Sequence, residues 1–310
     1  MILHTGNRTD IPAFYSRWFA ERLKAGFVLV RNPYDRSFVT RYEINPNVVD
    51  LISFCTKNPS PMFPHMDLLA PYKQLWHVTI TPYGKETEPG VPDKESITES
   101  FKKLSAKTGI NSICWRYDPI FTDENYTADR HLECFEKTAK KLSGYTKVCI
   151  ISFIDLYQKV KKNFPQAKPV SREDSLHLGR EMVSIGKKYG ISIKACAEGA
   201  ELAPLGVDCG GCMTKEVFEE VIGVPLQLPS GFKSSRDECV CILGNDIGQY
   251  DTCGHFCRYC YANSDKENVR KNMKLHDFRS PFLIGNSLPG DRVHQARQES
   301  WLDMQLKLPI

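Results

Sequence analysis

Long hydrophobic runs are missing from this chain, and with them the simplest route into a membrane. The first ten residues, MILHTGNRTD, are apolar for only two positions after the methionine and then turn polar. That pattern fits neither a secretory leader nor a transmembrane span, so a cytoplasmic protein with no membrane partner is expected. Charge of one sign is lacking too: 41 Lys and Arg stand against 37 Asp and Glu, for a formal net charge of +4. The balance is too weakly basic to indicate nucleic acid and too mixed to indicate a trap for acidic ligands. No repeat or low-complexity tract appears, which excludes a stacked-repeat architecture. Cysteine, by contrast, is plentiful, with twelve in 310 residues. In a chain without a secretory leader these cannot form a secreted disulfide framework, because a reducing compartment keeps thiols free for metals or chemistry.

Apolar, β-branched runs alternate with amphipathic stretches. Strands are expected at ILHT (2–5), VDLISF (49–54), LWHVTIT (75–81), INSICWR (110–116), VCIISFI (148–154), ISIKAC (191–196) and VCILG (240–244), with a short tail strand at SPFLIG (280–285). One helix opens on Thr9 and Asp10 with Pro12 in its first turn and stops at Gly26; others run over about 128–143 and 173–189, each ending before a glycine. Strands recurring with helices between them predict an α/β fold with a parallel sheet, and the number of units fits a (β/α) TIM-type barrel better than an open sheet. The style changes after residue 196, where loops and one short helix, TKEVFEEVIG, lie between cysteines. The expected division is therefore barrel units over 1–196, a cysteine-rich, metal-stapled insertion over 197–241, and a last cysteine loop with barrel closure over 242–310.

The last loop reads DTCGHFCRYCYAN. Cys253-x3-Cys257-x2-Cys260 would give a four-iron cluster three ligands and leave one iron able to chelate a cofactor or substrate. The alternatives are zinc or a redox thiol pair, though zinc loops favour paired cysteines from two separate knuckles. Cys196, Cys209, Cys212, Cys239 and Cys241 offer five thiols where a closed cluster needs four; the alternative is a zinc knuckle of Cys209-x2-Cys212 with Cys239-x-Cys241. Cys55, Cys114, Cys134 and Cys149 lie singly among apolar neighbours and read as small buried hydrophobes. In a parallel barrel the carboxyl ends of strands face the site, which brings forward Thr56, Lys57, Thr79, Thr81, Arg116, Asp118, Ser152, Asp155 and Glu198. Arg116 suits bidentate binding of a carboxylate, the alternative being an ion pair with Asp118. His77, in mid-strand, reads as packed, and the mixed-charge run 265–279 reads as a solvated helix face.

The spacing CxxxCxxC, with Tyr259 just before the last cysteine, resembles the motif of the radical S-adenosylmethionine superfamily. Over most of the chain RTDIPAFYSRWFAERLKAGFVLVRNPY, TKNPSP, WRYDPIF, KACAE and CVCILGNDIGQYDTCGHFCRYCYAN together resemble the family termed domain of unknown function 1848. The resemblance implies a catalytic 4Fe-4S cluster on Cys253, Cys257 and Cys260. Reductive cleavage of S-adenosylmethionine there would give a 5′-deoxyadenosyl radical that abstracts hydrogen from a small-molecule or nucleotide-like substrate. It implies a reductant such as flavodoxin or ferredoxin. It also implies an auxiliary 4Fe-4S cluster on Cys196, Cys212, Cys239 and Cys241, with Cys209 left out. Arg116 and Asp118 are then the candidate catalytic pair, and Thr5, Gly6, Asn7, Arg8, Thr81 and Tyr259 the candidate cofactor contacts. Where similar sequences begin SxSRRTD this one reads HTGNRTD, so His4, Thr5, Gly6 and Asn7 mark a departure that touches substrate choice. Because the superfamily's cysteine loop follows the first barrel strand, its late position here predicts a circularly permuted barrel with loop 251–260 beside ILHTGNRTD. The rival reading is non-catalytic: an iron–sulfur electron carrier or a zinc-stapled nucleic-acid-binding protein.

Overall fold

A computed structural model describes residues 1–229 and 241–303. Its strands are β1 (Ile2–His4), β2 (Phe27–Arg31), β3 (Phe38–Glu43), β4 (Leu51–Thr56), β5 (Lys73–Thr79), β6 (Ile113–Ile120), β7 (Val148–Phe153), β8 (Ser192–Ala195) and β9 (Arg292–Gln295). Six of them form one sheet in the order β1-β4-β5-β6-β7-β8, parallel at every pairing. Parallel strands need crossovers, and the sequence supplies them as helices: α1 (Ile11–Phe14), α2 (Ser16–Ala25), α3 (Lys94–Thr108), α4 (Ala128–Leu142), α5 (Gln158–Asn163) and α6 (Arg172–Tyr189). Two further helices, α7 (Lys215–Ile222) and α8 (Lys266–Lys274), follow the sheet.

The helix ends sit where their local chemistry puts them. Asp10 Oδ1 accepts from the Ala13 N–H at 3.0 Å, Thr127 and Ser171 cap α4 and α6, and Gly26 and Gly190 take left-handed φ of 74° and 70° at C-termini. The central strands are covered on both faces, so they read as near-continuous apolar runs. Phe54 stacks on Trp76 at 3.8 Å between ring centroids, and Trp115 on Phe135 at 4.6 Å. All four side chains are buried.

The closed barrel expected from the count of βα units is not what forms: the sheet ends at β1 and β8. Irregular backbone covers each edge in place of further strands. Beside β1, the His4 N–H donates to Asn245 O at 3.1 Å and the Ile247 N–H to His4 O at 3.0 Å, leaving a single parallel bridge between His4 and Asp246. Beside β8, the Ala195 N–H donates to Asp208 O and the Asp208 N–H to Ile193 O, with a bridge between Lys194 and Asp208. Residues 241–244 of the expected strand at 240–244, and the expected tail strand at 280–285, carry no strand assignment. A second, three-stranded sheet pairs β2 antiparallel with β3 and β3 parallel with β9. No described helix is long and apolar enough to cross a membrane.

His4, on β1, ties the fold to pH. Burial pulls its pKa down to about 4, against a partial pull upward from Asp246. The folded value lies below the unfolded one of about 6.5, so the unfolded chain takes up the proton first as pH falls. Its contribution is therefore complete above about pH 6.5 and drains away toward pH 4, by at most about 3 kcal/mol. Urea titrations at pH 7 and pH 4.5 should show the loss, and His4→Gln should flatten that part of the slope; an unchanged slope in the variant would acquit His4.

Candidate functional site

A cavity of about 640 Å³ opens at the carboxyl ends of the parallel strands, where ligands of open parallel sheets are held, and its size suits a small-molecule site. Each strand of the sheet delivers residues to it: Gly6 and Asn7 after β1, Cys55 and Lys57 at the end of β4, Thr79 on β5, Arg116 and Asp118 on β6, Ser152 and Asp155 from β7, and Cys196 after β8. Gly6 is there by necessity, since a Cβ on it would lie 2.7 Å from both the backbone N and O of Cys55. Only glycine lets the N-terminal loop lie flat on the end of β4.

Both cysteine groups line this one cavity: Cys253, Cys257 and Cys260 from the last loop, and Cys196, Cys212 and Cys241 from the second group. Loop 251–260 lies beside the N-terminal segment. Tyr15 Oη donates to Thr252 O at 2.6 Å, Tyr261 Oη to Asn7 O at 2.5 Å, and His255 Nε2 stands 2.8 Å from Asp10 Oδ2. From the opposite side the Gly90 N–H donates to His255 O at 2.8 Å, and a Cβ on Gly90 would meet Gly254 O at 2.1 Å, so this clasp also requires glycine. Phe256, between two of the cysteines, takes a left-handed φ of 55°. That conformation is unfavourable for a bulky residue and is held by the contacts on either side.

The thiols of this loop suit a bound metal body. All three are free of disulfides, burial raises each above the ordinary thiol range, and the other cysteines of the loop raise Cys253 and Cys257 further. A cationic metal centre reverses that burden by stabilising thiolates. Backbone donors already point at the sulfurs: the Ala262 N–H reaches Cys260 Sγ at 3.3 Å, and the His255 N–H favours the anionic form of Cys253. Among the described residues no three His, Cys, Asp or Glu side chains form a ready-made site for a metal ion. A four-iron cluster asks for something else, thiolates placed around a body whose separate irons they bind.

In the second group, Cys212 Sγ lies 3.4 Å from Cys196 Sγ and 3.9 Å from Cys241 Sγ, and the Met213 N–H donates to Cys241 Sγ at 3.3 Å. Cys209 turns away, with its Sγ 3.7 Å from Val207 O and no part in the cavity lining. Cys239 lies outside the described residues. Arg116 joins this group to the cavity floor. Its Nε donates to Asp118 Oδ2 at 2.8 Å, its Nη2 bonds the same oxygen, its Nη1 stands 3.5 Å from Cys212 Sγ, and Ser152 Oγ donates to Asp118 Oδ1. Burial alone would raise the Asp118 pKa, but Arg116 and Ser152 hold it below the ordinary range. The pair is thus an ion pair that also lines the cavity.

The remaining expected contacts divide. Asn7 and Arg8 line the cavity, and Arg8 Nε donates to Asp246 Oδ2 at 2.7 Å. Thr5 and Thr81 do not line it: Thr5 Oγ1 donates to Ser53 O and Thr81 Oγ1 to Glu88 Oε1. Tyr259 lines the cavity with its ring 5.5 Å from Lys57 Nζ, while its hydroxyl bonds Glu88. Sequence reasoning passed over Glu88, His255 and Asp246, and it read Asp10 only as a cap. The spacing inside the motif marks His255, whereas nothing local marks Glu88. Cys55 was given no role, yet it lines the cavity with its Sγ 3.7 Å from His77 Nδ1.

The family described as Domain of unknown function (DUF1848) matches residues 2–262, most of the chain, so the protein belongs to it. Neither a curated protein nor a solved structure gives a match.

Proposed function

From membership of this family, with two cysteine groups on one cavity, we propose that the protein is a radical S-adenosylmethionine enzyme working in the cytoplasm without oxygen. The observation that carries the reading is the shared cavity: Cys253, Cys257 and Cys260 line it together with Cys196, Cys212, Cys241, Arg116 and Asp118. An electron carrier needs no cavity of about 640 Å³ beside its cluster. When bound, a 4Fe-4S cluster with S-adenosylmethionine supplies a 5′-deoxyadenosyl radical able to take a hydrogen atom from a substrate. The electron is assigned to an external reductant such as flavodoxin or ferredoxin. The test is formation of 5′-deoxyadenosine and methionine by anaerobically reconstituted protein given S-adenosylmethionine and dithionite; no product above the level of reagents alone would refute the reading.

The chain's own residues do the placing. Asp10, Gly90 and Tyr15 fix the cysteine loop from three directions. Gly6 and Asn7 belong to the wall beside that loop and are assigned to the cofactor. Arg116 presents a guanidinium to the cavity, oriented by Asp118, which suits an anionic or hydrogen-bond-accepting group of the substrate. Arg116→Lys keeps the charge but loses the planar fork. Turnover should fall on the order of 10- to 100-fold through misplacement of substrate, with the iron content and melting temperature unchanged; unaltered kinetics would make Arg116 structural.

One observation favours a second metal in the other group. Tetrahedral zinc with Zn–S bonds of about 2.3 Å sets sulfurs about 3.8 Å apart, close to the 3.4 and 3.9 Å seen around Cys212. Metal analysis separates the readings: about eight irons for two clusters, or about four irons and one zinc.

A further inference from the structure

Tyrosines gather at the mouth of the cavity. Tyr34, Tyr157, Tyr250 and Tyr261 all line it, and they arrive from four separate segments: the β2–β3 turn, the stretch after β7, the loop after 241, and the cysteine loop. Seven large apolar or aromatic side chains are strongly exposed on the described surface, and three of them (Tyr34 at 93 %, Tyr157 at 42 % and Tyr261 at 41 %) are at this rim. Singly scattered exposure needs no explanation, but concentration at one mouth does. Tyr34 in particular contributes almost no burial to the fold.

Cations and unused polar groups accompany the rings. Lys159 Nζ lies 4.8 Å and Arg8 Cζ 5.9 Å from the centroid of Tyr250. Arg8 engages Asp246 through Nε and Nη2, which leaves Nη1 for a ligand. Thr9 Oγ1 is buried without a hydrogen-bond partner, in a residue that lines the cavity and is only 5 % exposed. A ligand oxygen would satisfy it, and a buried polar group left unsatisfied is otherwise costly. Ring faces at the rim, with Arg8 and Thr9 in the cavity wall and Lys159 beside the Tyr250 ring, describe one ligand chemistry. Bases stack on exposed aromatic rings whatever their identity, and cations with a hydroxyl hold the phosphate.

We propose that this mouth binds the substrate, and that the substrate is a nucleoside monophosphate or a longer chain ending in one, its base on the tyrosine rim around Tyr34 and its phosphate at Arg8, Thr9 and Lys159. The radical chemistry assigned above is needed only for what happens to that ligand. The binding does not depend on it.

The test is calorimetric titration of the anaerobically reconstituted full chain, saturated with S-adenosylhomocysteine, with the four ribonucleoside 5′-monophosphates, ribose 5-phosphate and adenosine. At least one nucleotide should bind about tenfold or more tighter than ribose 5-phosphate and adenosine, since each fragment lacks half of the contacts. Tyr34→Ala should weaken that nucleotide about 5- to 100-fold, the worth of one stacked base, without moving the melting temperature, and Tyr34→Phe should keep the affinity. Lys159→Ala should weaken the nucleotide and leave adenosine unchanged. The proposal is overturned if ribose 5-phosphate binds as tightly as every nucleotide, if Tyr34→Ala binds like the wild type, or if S-adenosylhomocysteine displaces the nucleotide. Formation of 5′-deoxyadenosine is read separately. Nucleotide binding without S-adenosylmethionine cleavage overturns the enzyme and leaves the rim, and cleavage without nucleotide binding does the reverse.

Discussion

Replacement of Cys253, Cys257 and Cys260 by alanine is expected to abolish 5′-deoxyadenosine formation and to remove about four of about eight irons, or all the iron if the second group holds zinc. The three thiols stand on one loop held by contacts that do not involve sulfur: Tyr15 to Thr252, Gly90 to His255, the Arg258 N–H to Thr87 O, and Asn263 Nδ2 to Cys253 O. The loop should therefore keep its course in the variant, and the loss should lie in metal and chemistry and not in folding. Iron analysis, the visible spectrum and far-ultraviolet circular dichroism on one preparation separate these effects. Persisting cleavage of S-adenosylmethionine would move the reaction elsewhere. A collapse of the dichroism would mean that the metal also folds the chain, and single Cys257→Ser substitution would then be needed to read the chemistry alone.

Why was this loop legible in the sequence while much around it was not? Cys253, Cys257 and Cys260 carry their spacing within eight residues, and Arg116 stands at the end of an apolar run, so both could be placed from local pattern. The six parallel strands were legible for the same reason. Closure was not: a tally of strands is blind to the backbone beside the edge strands, and the segment 241–247 makes only one bridge to β1. The second sheet was missed because β2 and β3 are mostly only half-buried, β3 without the continuous apolar run of a central strand, and β9 joins β3 across some 250 positions of chain. Asp10 could be read as a cap because Ala13 is three residues on; its other oxygen, which accepts from the Lys57 N–H and faces His255, depends on distant segments. The tyrosine rim is of the same kind, since its four rings come together only in the fold.

Glu88 is the extreme case, and its loss should be the most destabilising single change near the site. The carboxylate is 1 % exposed and holds four donors from four parts of the chain: Lys57 Nζ and Thr81 Oγ1, each at 2.9 Å, with the Tyr259 hydroxyl on the same oxygen and Lys94 Nζ on the other. Both carboxylate oxygens are thus engaged. Burial alone would raise its pKa, but Lys57 and Lys94 pull it down to about 2. Glu88→Gln removes the charge while Lys57, 13 % exposed, and Lys94, 30 % exposed, keep theirs. Leaving buried cations without their anion should cost about 3–5 kcal/mol, a large part of the stability of an ordinary domain. Chemical denaturation at pH 7 should show it as a lower midpoint with the same slope. The native protein should register the same carboxylate in acid. Its folded pKa lies below the unfolded value, so its contribution is present above about pH 4.5 and drains away toward pH 2, and the Gln variant should lack that loss. Tyr259 would also be released from its acceptor, one residue before Cys260, so iron retention should fall with stability. A cost under about 1 kcal/mol, typical of exposed ion pairs, would show that Glu88 does not hold the cysteine loop to the sheet.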